Sequence, residues 1–206
     1  MSQIAAPNQL LIATTNEGKV NEIKAFLCEL PITIVSLSQC ESIQEVPETG
    51  STFEANAILK AQGYAEQTGL LTLADDSGLE VDALKGNPGV YSARFGKTDD
   101  DRNKKLLEKL KGVELQKRTA RFRCVMALHN PNTNTTKTVD GVVEGLITLE
   151  LVGTAGFGYD PVFYYPPFKA TFAEIDKEAK NSVSHRGLAL QQVKQILTTQ
   201  IAHSHK

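Results

Sequence analysis

The sequence has too few cysteines for a covalent framework. Its 3 cysteines, Cys28, Cys40 and Cys124, are odd in number and lack CxxC or Cys/His ligand spacing. Neither a disulfide scaffold nor a zinc site is therefore expected, and reduced thiols fit a cytoplasmic protein. It also lacks an excess of either charge. A net charge of -2 and a pI near 6.1 argue against a general electrostatic grip on nucleic acid, though a local basic pocket stays open. Any phosphate bound should belong to a small molecule. No apolar run approaches membrane-spanning length, and no basic region followed by a hydrophobic segment opens the chain. Neither membrane association nor export is expected, and the localisation read here is cytoplasmic. What is present is enough to bury a core: 206 residues, 41% of them hydrophobic. That favours a single α/β domain over 1–206, divisible into two lobes about a cleft.

The chain converges on residues 71–95. Leu70, Leu71, Thr72, Leu73 and Ala74 form an apolar strand, predicted to stop at Asp75 and Asp76 before Ser77 and Gly78. Alternation puts Asp75 on the face of Leu71 and Leu73, and Asp76 on the less apolar face of Thr72 and Ala74. Asp76 is thus expected to be the exposed, working carboxylate. Asp75 should lie nearer the core, with hydrogen bonds from the N–H groups of the following turn. An isolated Asp-Asp-Ser-Gly would read as a polar turn; its neighbours point to chemistry.

Gln9 to Ala13 reads as a buried strand running through Thr14, Thr15, Asn16, Glu17, Gly18 and Lys19 into a helix. Val20, Ile23, Leu27 and Leu30 recur at helical spacing, Thr15 or Asn16 can cap, and Pro31 follows. Strand, polar turn and helix start is a phosphate-binding geometry: free N–H groups and the helix dipole face the ligand, and Lys19 adds charge. It is not a Walker A loop. The plainer alternative is a capping turn with a solvated lysine. Ile32 to Leu37 gives a second strand, and a helix from Phe53 to Thr68 is closed by Gly69. On that helix Asn56 and Lys60 share a face, either a cleft-facing amide and amine or a solvated helix face. Glu48, in the preceding loop, is free to reach a metal held by Asp76.

Gly86 to Gly89 is a turn, and Arg94 beyond it can clamp a phosphate or pair with an acid. Thr98 to Asp101 matches a capping box opening a helix whose Leu106, Leu107 and Leu110 face inward, and no chemistry is assigned to it. Ala120 to His129 alternates as a strand. After a loop at Asn130 to Asn134, a long strand from Thr136 to Leu151, with bends at Gly141 and Gly145, should complete a ribbon leaving the main sheet. In Gly153 to Pro161, glycines permit close approach, and Phe157 and Tyr159 offer flat faces on which a nucleobase can stack, worth ~1–3 kcal/mol. The alternative is a tight loop with aromatics in the core. The last helix buries Leu190, Val193, Ile196, Leu197 and Ile201, and His203 and His205 are given no role. Lys180, His185 and Arg186 are read at its N-terminus, where cations oppose the dipole and so point to a ligand.

The stretches TTNEGKVNEIKAFL, FEANAILKA, LADDSGLEVDALKGNPGVYSARF, GTAGFGYDPVF and NSVSHRGLAL, in order over nearly the whole chain, closely resemble the signature blocks of the inosine/xanthosine triphosphate pyrophosphatase family, the HAM1-like or dITP/XTP pyrophosphatases. The resemblance implies a Mg²⁺-dependent hydrolase that cleanses the nucleotide pool by converting ITP, dITP and XTP to the monophosphate and pyrophosphate. It also implies a homodimer and a long mixed sheet flanked by helices, with a substrate cleft between lobes. By that similarity Thr14 to Lys19 bind the triphosphate, Asp76 is the catalytic carboxylate and metal ligand, and Ser77 touches substrate. Phe157, Gly158, Tyr159 and Asp160 hold the nucleoside, Lys180 contacts substrate, and His185 and Arg186 recognise the base. Many relatives have Thr-Gly-Asn where this chain has Thr14-Thr15-Asn16.

The chemistry agrees with these residues. Attack of water on the α-phosphorus needs Mg²⁺, a carboxylate for metal and water, and lysines for the departing pyrophosphate, which Asp76, Glu48, Lys19 and Lys60 can supply. A donor such as Arg186 favours a 6-oxo base over adenine. Two rivals are a non-catalytic nucleotide sensor, disfavoured by Asp75 and Asp76, and a Maf-like pyrophosphatase of other base preference, disfavoured by the Ser-His-Arg block.

Overall fold

A computed structural model describes residues 9–204, with side chains as far as residue 202. The N-terminal residues bearing on export, the side chain of His203 and all of His205 lie outside the described residues. Strands β1 (Gln9–Ile12), β2 (Thr33–Ser36), β3 (Leu71–Val81), β4 (Thr119–Asn130), β5 (Thr135–Ile147), β6 (Phe163–Tyr165) and β7 (Ala170–Thr171) form one 7-stranded sheet in the order β2-β1-β3-β4-β5-β6-β7. Helices α1 (Glu17–Leu27), α2 (Phe53–Thr68), α3 (Asp99–Lys109), α4 (Lys177–Val183) and α5 (His185–Ser204) complete it. β1 runs parallel to both β2 and β3, whereas β6 is antiparallel to β5 and β7. The sheet is therefore mixed and the class α/β, as the sequence predicts. Two compact units divide the chain, one made of 1–76, 125–140 and 189–206, the other of 77–124 and 141–188.

In the first unit, β1 continues from Gln9 as an apolar run whose Leu10, Leu11 and Ile12 are fully buried, the pattern of a strand with parallel neighbours on both sides. Helix α1 begins where Asn16 accepts a hydrogen bond from the Lys19 N–H at 3.1 Å, and it buries Ile23 and Leu27. Helix α2 starts with Thr52 capping the Ala55 N–H and stops at Gly69, whose φ of +69° suits the left-handed terminus. Its buried face carries Ala57, Ala61 and Ala65 together with Asn56 and Lys60. In α5, Leu190, Val193 and Leu197 are buried, each worth about 1.5–3 kcal/mol, while Ile196 and Ile201 are half-buried.

The second unit packs Leu79, Val81, Leu106, Leu110, Ile147 and an aromatic cluster in which Phe163 lies 4.5 Å from Phe122 and 5.0 Å from Phe172. Gly145 is required by that cluster: a Cβ there would meet the Phe163 ring at 2.6 Å. Close packing accounts for this glycine. Buried Arg118 donates to the carbonyls of Leu110, Val113 and Thr148, so the carbonyl at the end of α3 has a partner.

Three expectations change. β3 does not stop at the acid pair; Leu79 and Val81 resume apolar alternation and are fully buried, which carries the strand on to Val81. β4 and β5 are interior strands of the sheet, not a ribbon leaving it, and β5 ends at Ile147 rather than Leu151. The final helical segment is two helices. Ser184 is extended between them, its hydroxyl accepting from the Gly187 N–H at 3.1 Å, and a Cβ on Gly187 would overlap the Asn181 carbonyl. The corner between α4 and α5 therefore needs glycine.

Candidate active site

In the first unit the chemistry gathers where β3 passes α2 and the start of α1. Asp75 is 2% exposed and accepts a hydrogen bond from Lys19 Nζ at 2.7 Å. Asp76, at 7%, is buried as well, and its Oδ2 accepts from Asn56 Nδ2 at 2.9 Å. Alternation ranks the two correctly but misjudges Asp76 as exposed, because α2 brings Asn56 and Lys60 against the strand. Asp75 takes the Lys19 ammonium where turn N–H groups were expected, so Lys19 is not a solvated lysine. Lys60 Nζ donates to Glu48 Oε1 at 2.6 Å and to the Asp75 carbonyl at 2.5 Å. Glu48 is thus paired rather than free, and Asn56 and Lys60 are not a solvated face. Asn56 also accepts the Gly50 N–H at 2.7 Å, and a Cβ on Gly50 would meet Asn56 Oδ1 at the same 2.7 Å. The amide is gripped at both ends.

Burial raises the Asp76 pKa above the ordinary aspartate value; Lys60 and the Asn56 hydrogen bond oppose this, while Glu48 adds to it. For Lys60, burial works against the charge, but Asp75, Glu48 and Asp76 outweigh it and hold the ammonium above its ordinary value. The result is a fixed cation beside two mutually repelling carboxylates. Oxygen donors that repel are suited to a hard cation. Among the described residues no group of 3 or more His, Cys, Asp or Glu side chains is arranged to hold a metal. In the turn before α1, Thr15 and Asn16 are exposed and Thr14 is half-buried, Thr14 Oγ1 accepting the Asn16 N–H at 3.2 Å; Glu17 and Gly18, the first residues of α1, are exposed as well.

In the second unit Phe157 is 38% exposed. Lys180 Nζ lies 4.7 Å and Arg186 Cζ 5.7 Å from its ring centroid, distances at which the ring quadrupole attracts a cation. Buried Asp160 accepts from the Phe157 N–H at 2.8 Å and from Lys180 Nζ at 2.5 Å, and Arg186 Nη2 donates to Ser77 Oγ at 3.3 Å. His185 stacks on Phe122, centroids 4.7 Å apart and planes 10° apart. Lys180, Arg186, Phe157, Asp160 and Ser77 are thus brought together.

Tyr159 is different. It is a core residue whose hydroxyl donates to the Ser92 carbonyl at 2.8 Å, and burial pushes its phenol pKa up, so it offers no stacking face. Lys180 is not at a helix N-terminus but in the last turn of α4, where the dipole favours a cation; only His185 and Arg186 open α5. Arg94 is exposed, its guanidinium 5.7 Å from the Tyr91 ring. Sequence reasoning missed Asp99 and Asn103 of α3, which accept from the Gly158 N–H at 2.7 Å and donate to its carbonyl at 2.9 Å. Their spacing on one helix face was the available signal.

These features define an α/β protein that offers ammonium groups and paired carboxylates in one unit and a cation-flanked aromatic ring in the other. The chain belongs to the Ham1 family, whose sequence profile matches residues 10–196. It is 53% identical over 198 residues to a dITP/XTP pyrophosphatase of Desulforamulus reducens, covering 95% of this chain and 98% of that protein. Identity to the dITP/XTP pyrophosphatase of Bacillus licheniformis is 49% over 192 residues, with 92% and 97% covered. Among solved structures, a HAM1 protein from Coxiella burnetii superposes with a TM-score of 0.87 at 42% identity, covering 93% of this chain and 99% of its own. The Staphylococcus aureus Ham1 protein gives 0.85 at 40% identity, covering 94% and 100%.

Proposed function

We infer that this protein is a nucleoside triphosphate pyrophosphatase that hydrolyses the deaminated purine nucleotides ITP, dITP and XTP to the monophosphate and pyrophosphate. The observation that carries the reading is Asp76, buried, gripped by Asn56 and set beside the Lys60–Glu48 pair. Water attacks the α-phosphorus, the bond to the bridging oxygen of the β-phosphate breaks, and pyrophosphate leaves with that electron pair. Asp76 orients the water and takes up its proton, a task suited to a carboxylate whose pKa burial has raised. Asn56 holds that carboxylate in one orientation. Lys19 and Lys60, with the turn Thr14, Thr15 and Asn16 and the helix start at Glu17 and Gly18, bind the phosphates and stabilise the leaving pyrophosphate. Asp76 and Glu48 would hold Mg²⁺, which when bound neutralises triphosphate charge.

For the base, Phe157 stacks on the purine, and Arg186 donates to the 6-oxo oxygen that adenine lacks. Lys180, His185, Asp160, Gly158 and Ser77 complete the nucleoside contacts, and Arg94 is assigned a peripheral phosphate contact. The role is to cleanse the cytoplasmic nucleotide pool, as a homodimer with neither nucleic-acid nor membrane partner. A panel of nucleoside triphosphates assayed with Mg²⁺ tests this. Pyrophosphate should be the first product by phosphorus NMR, with ITP and XTP turned over far faster than ATP. Orthophosphate as first product would reject the assignment of Lys19 and Lys60.

A further inference from the structure

The loop carrying Phe157 is held from outside itself. Gly153, Gly156 and Gly158 have φ of +84°, +77° and +65°, a path open to glycine but costly in conformational entropy. Side chains take up the polar backbone groups at its tip. Asp160 accepts the Phe157 N–H at 2.8 Å, Asp99 accepts the Gly158 N–H at 2.7 Å, and Asn103 donates to the Gly158 carbonyl at 2.9 Å. Both backbone groups of Gly158 are therefore engaged by α3. Asn103 is 2% exposed, and its Oδ1 has no hydrogen bond among the described residues. An amide buried with half its capacity unused is explained by what its Nδ2 does.

We propose that Asp99 and Asn103 are positioning residues for base recognition, fixing the Gly158 peptide and through it the plane of the Phe157 ring. The inference rests on Phe157 being the surface on which the purine stacks. Stacking needs a fixed plane, and a ring on a glycine-rich loop must otherwise be ordered each time substrate binds. Anchoring that loop to a helix removes the ordering cost from binding. The consequence is selective: loss of an anchor weakens binding of anything with a base and leaves the phosphate end and the chemical step alone.

The test compares Asp99→Ala, Asn103→Ala and Phe157→Ala, singly and with each anchor change added to Phe157→Ala. Steady-state kinetics with ITP are read beside inhibition by tripolyphosphate, which has no base. Each anchor variant should raise KM for ITP by about three- to tenfold, the size of one lost hydrogen bond, with kcat and the tripolyphosphate inhibition constant held within about twofold. In the Phe157→Ala background neither should add to the effect. Asp99→Asn keeps an acceptor oxygen of the same size and should recover most of the lost affinity, so the question stays decidable if Asn103→Ala folds poorly. Weaker tripolyphosphate inhibition in step with KM, or effects additive with Phe157→Ala, would overturn the proposal while leaving the stacking role intact. A Phe157→Ala enzyme with unchanged KM for ITP would instead remove the stacking role, and the proposal with it.

Discussion

At the scale of single residues, adjacent aspartates do different work. Asp75 is tied to Lys19, so Asp75→Asn loses a charge-assisted hydrogen bond and should cost about 1.5–3 kcal/mol of stability, read by denaturant melts. Asp76→Asn keeps the shape and an acceptor for Asn56, yet should lose about two to four orders of magnitude in turnover with ITP. The two variants also separate by pH. Because burial raises the Asp76 pKa, its contribution to metal-free stability is fully present below the ordinary aspartate range and is lost as pH rises through the raised value. In EDTA at neutral pH, Asp76→Asn should therefore melt above the wild type, the gap closing as the pH is lowered toward about 4. A lower melting point at neutral pH would contradict the burial argument. Arg186→Ala should depress kcat/KM for ITP far more than for ATP, by about 1–3 kcal/mol for one polar contact. An unchanged ratio would move base reading to backbone groups.

At the scale of elements, the corner between α4 and α5 presents Lys180 from one helix and His185 and Arg186 from the next. Its tightness depends on Gly187, where a Cβ would run into the Asn181 carbonyl. Gly187→Ala should cost about 1–3 kcal/mol, the usual price of overpacking, and should erode discrimination between ITP and ATP by displacing Arg186. Wild-type stability with unchanged base preference would show that the corner tolerates the methyl group. Helix α2 works differently: it is a good helix on propensity and caps alone, and it places Asn56 and Lys60 at buried positions because alanines on the same face let it approach β3 closely.

At the scale of the whole molecule, neither compact unit is a continuous segment. The first is assembled from separated pieces ending at residues 76, 140 and 206, the second from pieces ending at 124 and 188. No single truncation isolates either unit, so thermal unfolding is expected to follow one cooperative transition by circular dichroism, with coincident probes. Mg²⁺ with a non-hydrolysable ITP analogue at about 100 times its dissociation constant should stabilise the protein by roughly 2.7 kcal/mol, and Asp76→Asn should respond less. Among the described residues no helix is long and apolar enough to cross a membrane.

The sequence by itself determined the α/β class, the bounds of α2 with its Gly69 stop and the Thr98 cap of α3, and it narrowed the cap of α1 to Thr15 or Asn16, of which the structure uses Asn16. Those signals are local: periodicity, caps and turn residues act within a few positions along the chain. Only the tertiary structure decided that Asp76 is buried, that Glu48 pairs with Lys60 and Lys19 with Asp75, that Tyr159 belongs to the core while Phe157 faces solvent, and that α3 holds the Gly158 peptide. Each of these joins residues far apart in sequence. Burial depends on what packs against a strand from elsewhere in the chain, and a side chain's partner is chosen by that packing rather than by its neighbours in sequence.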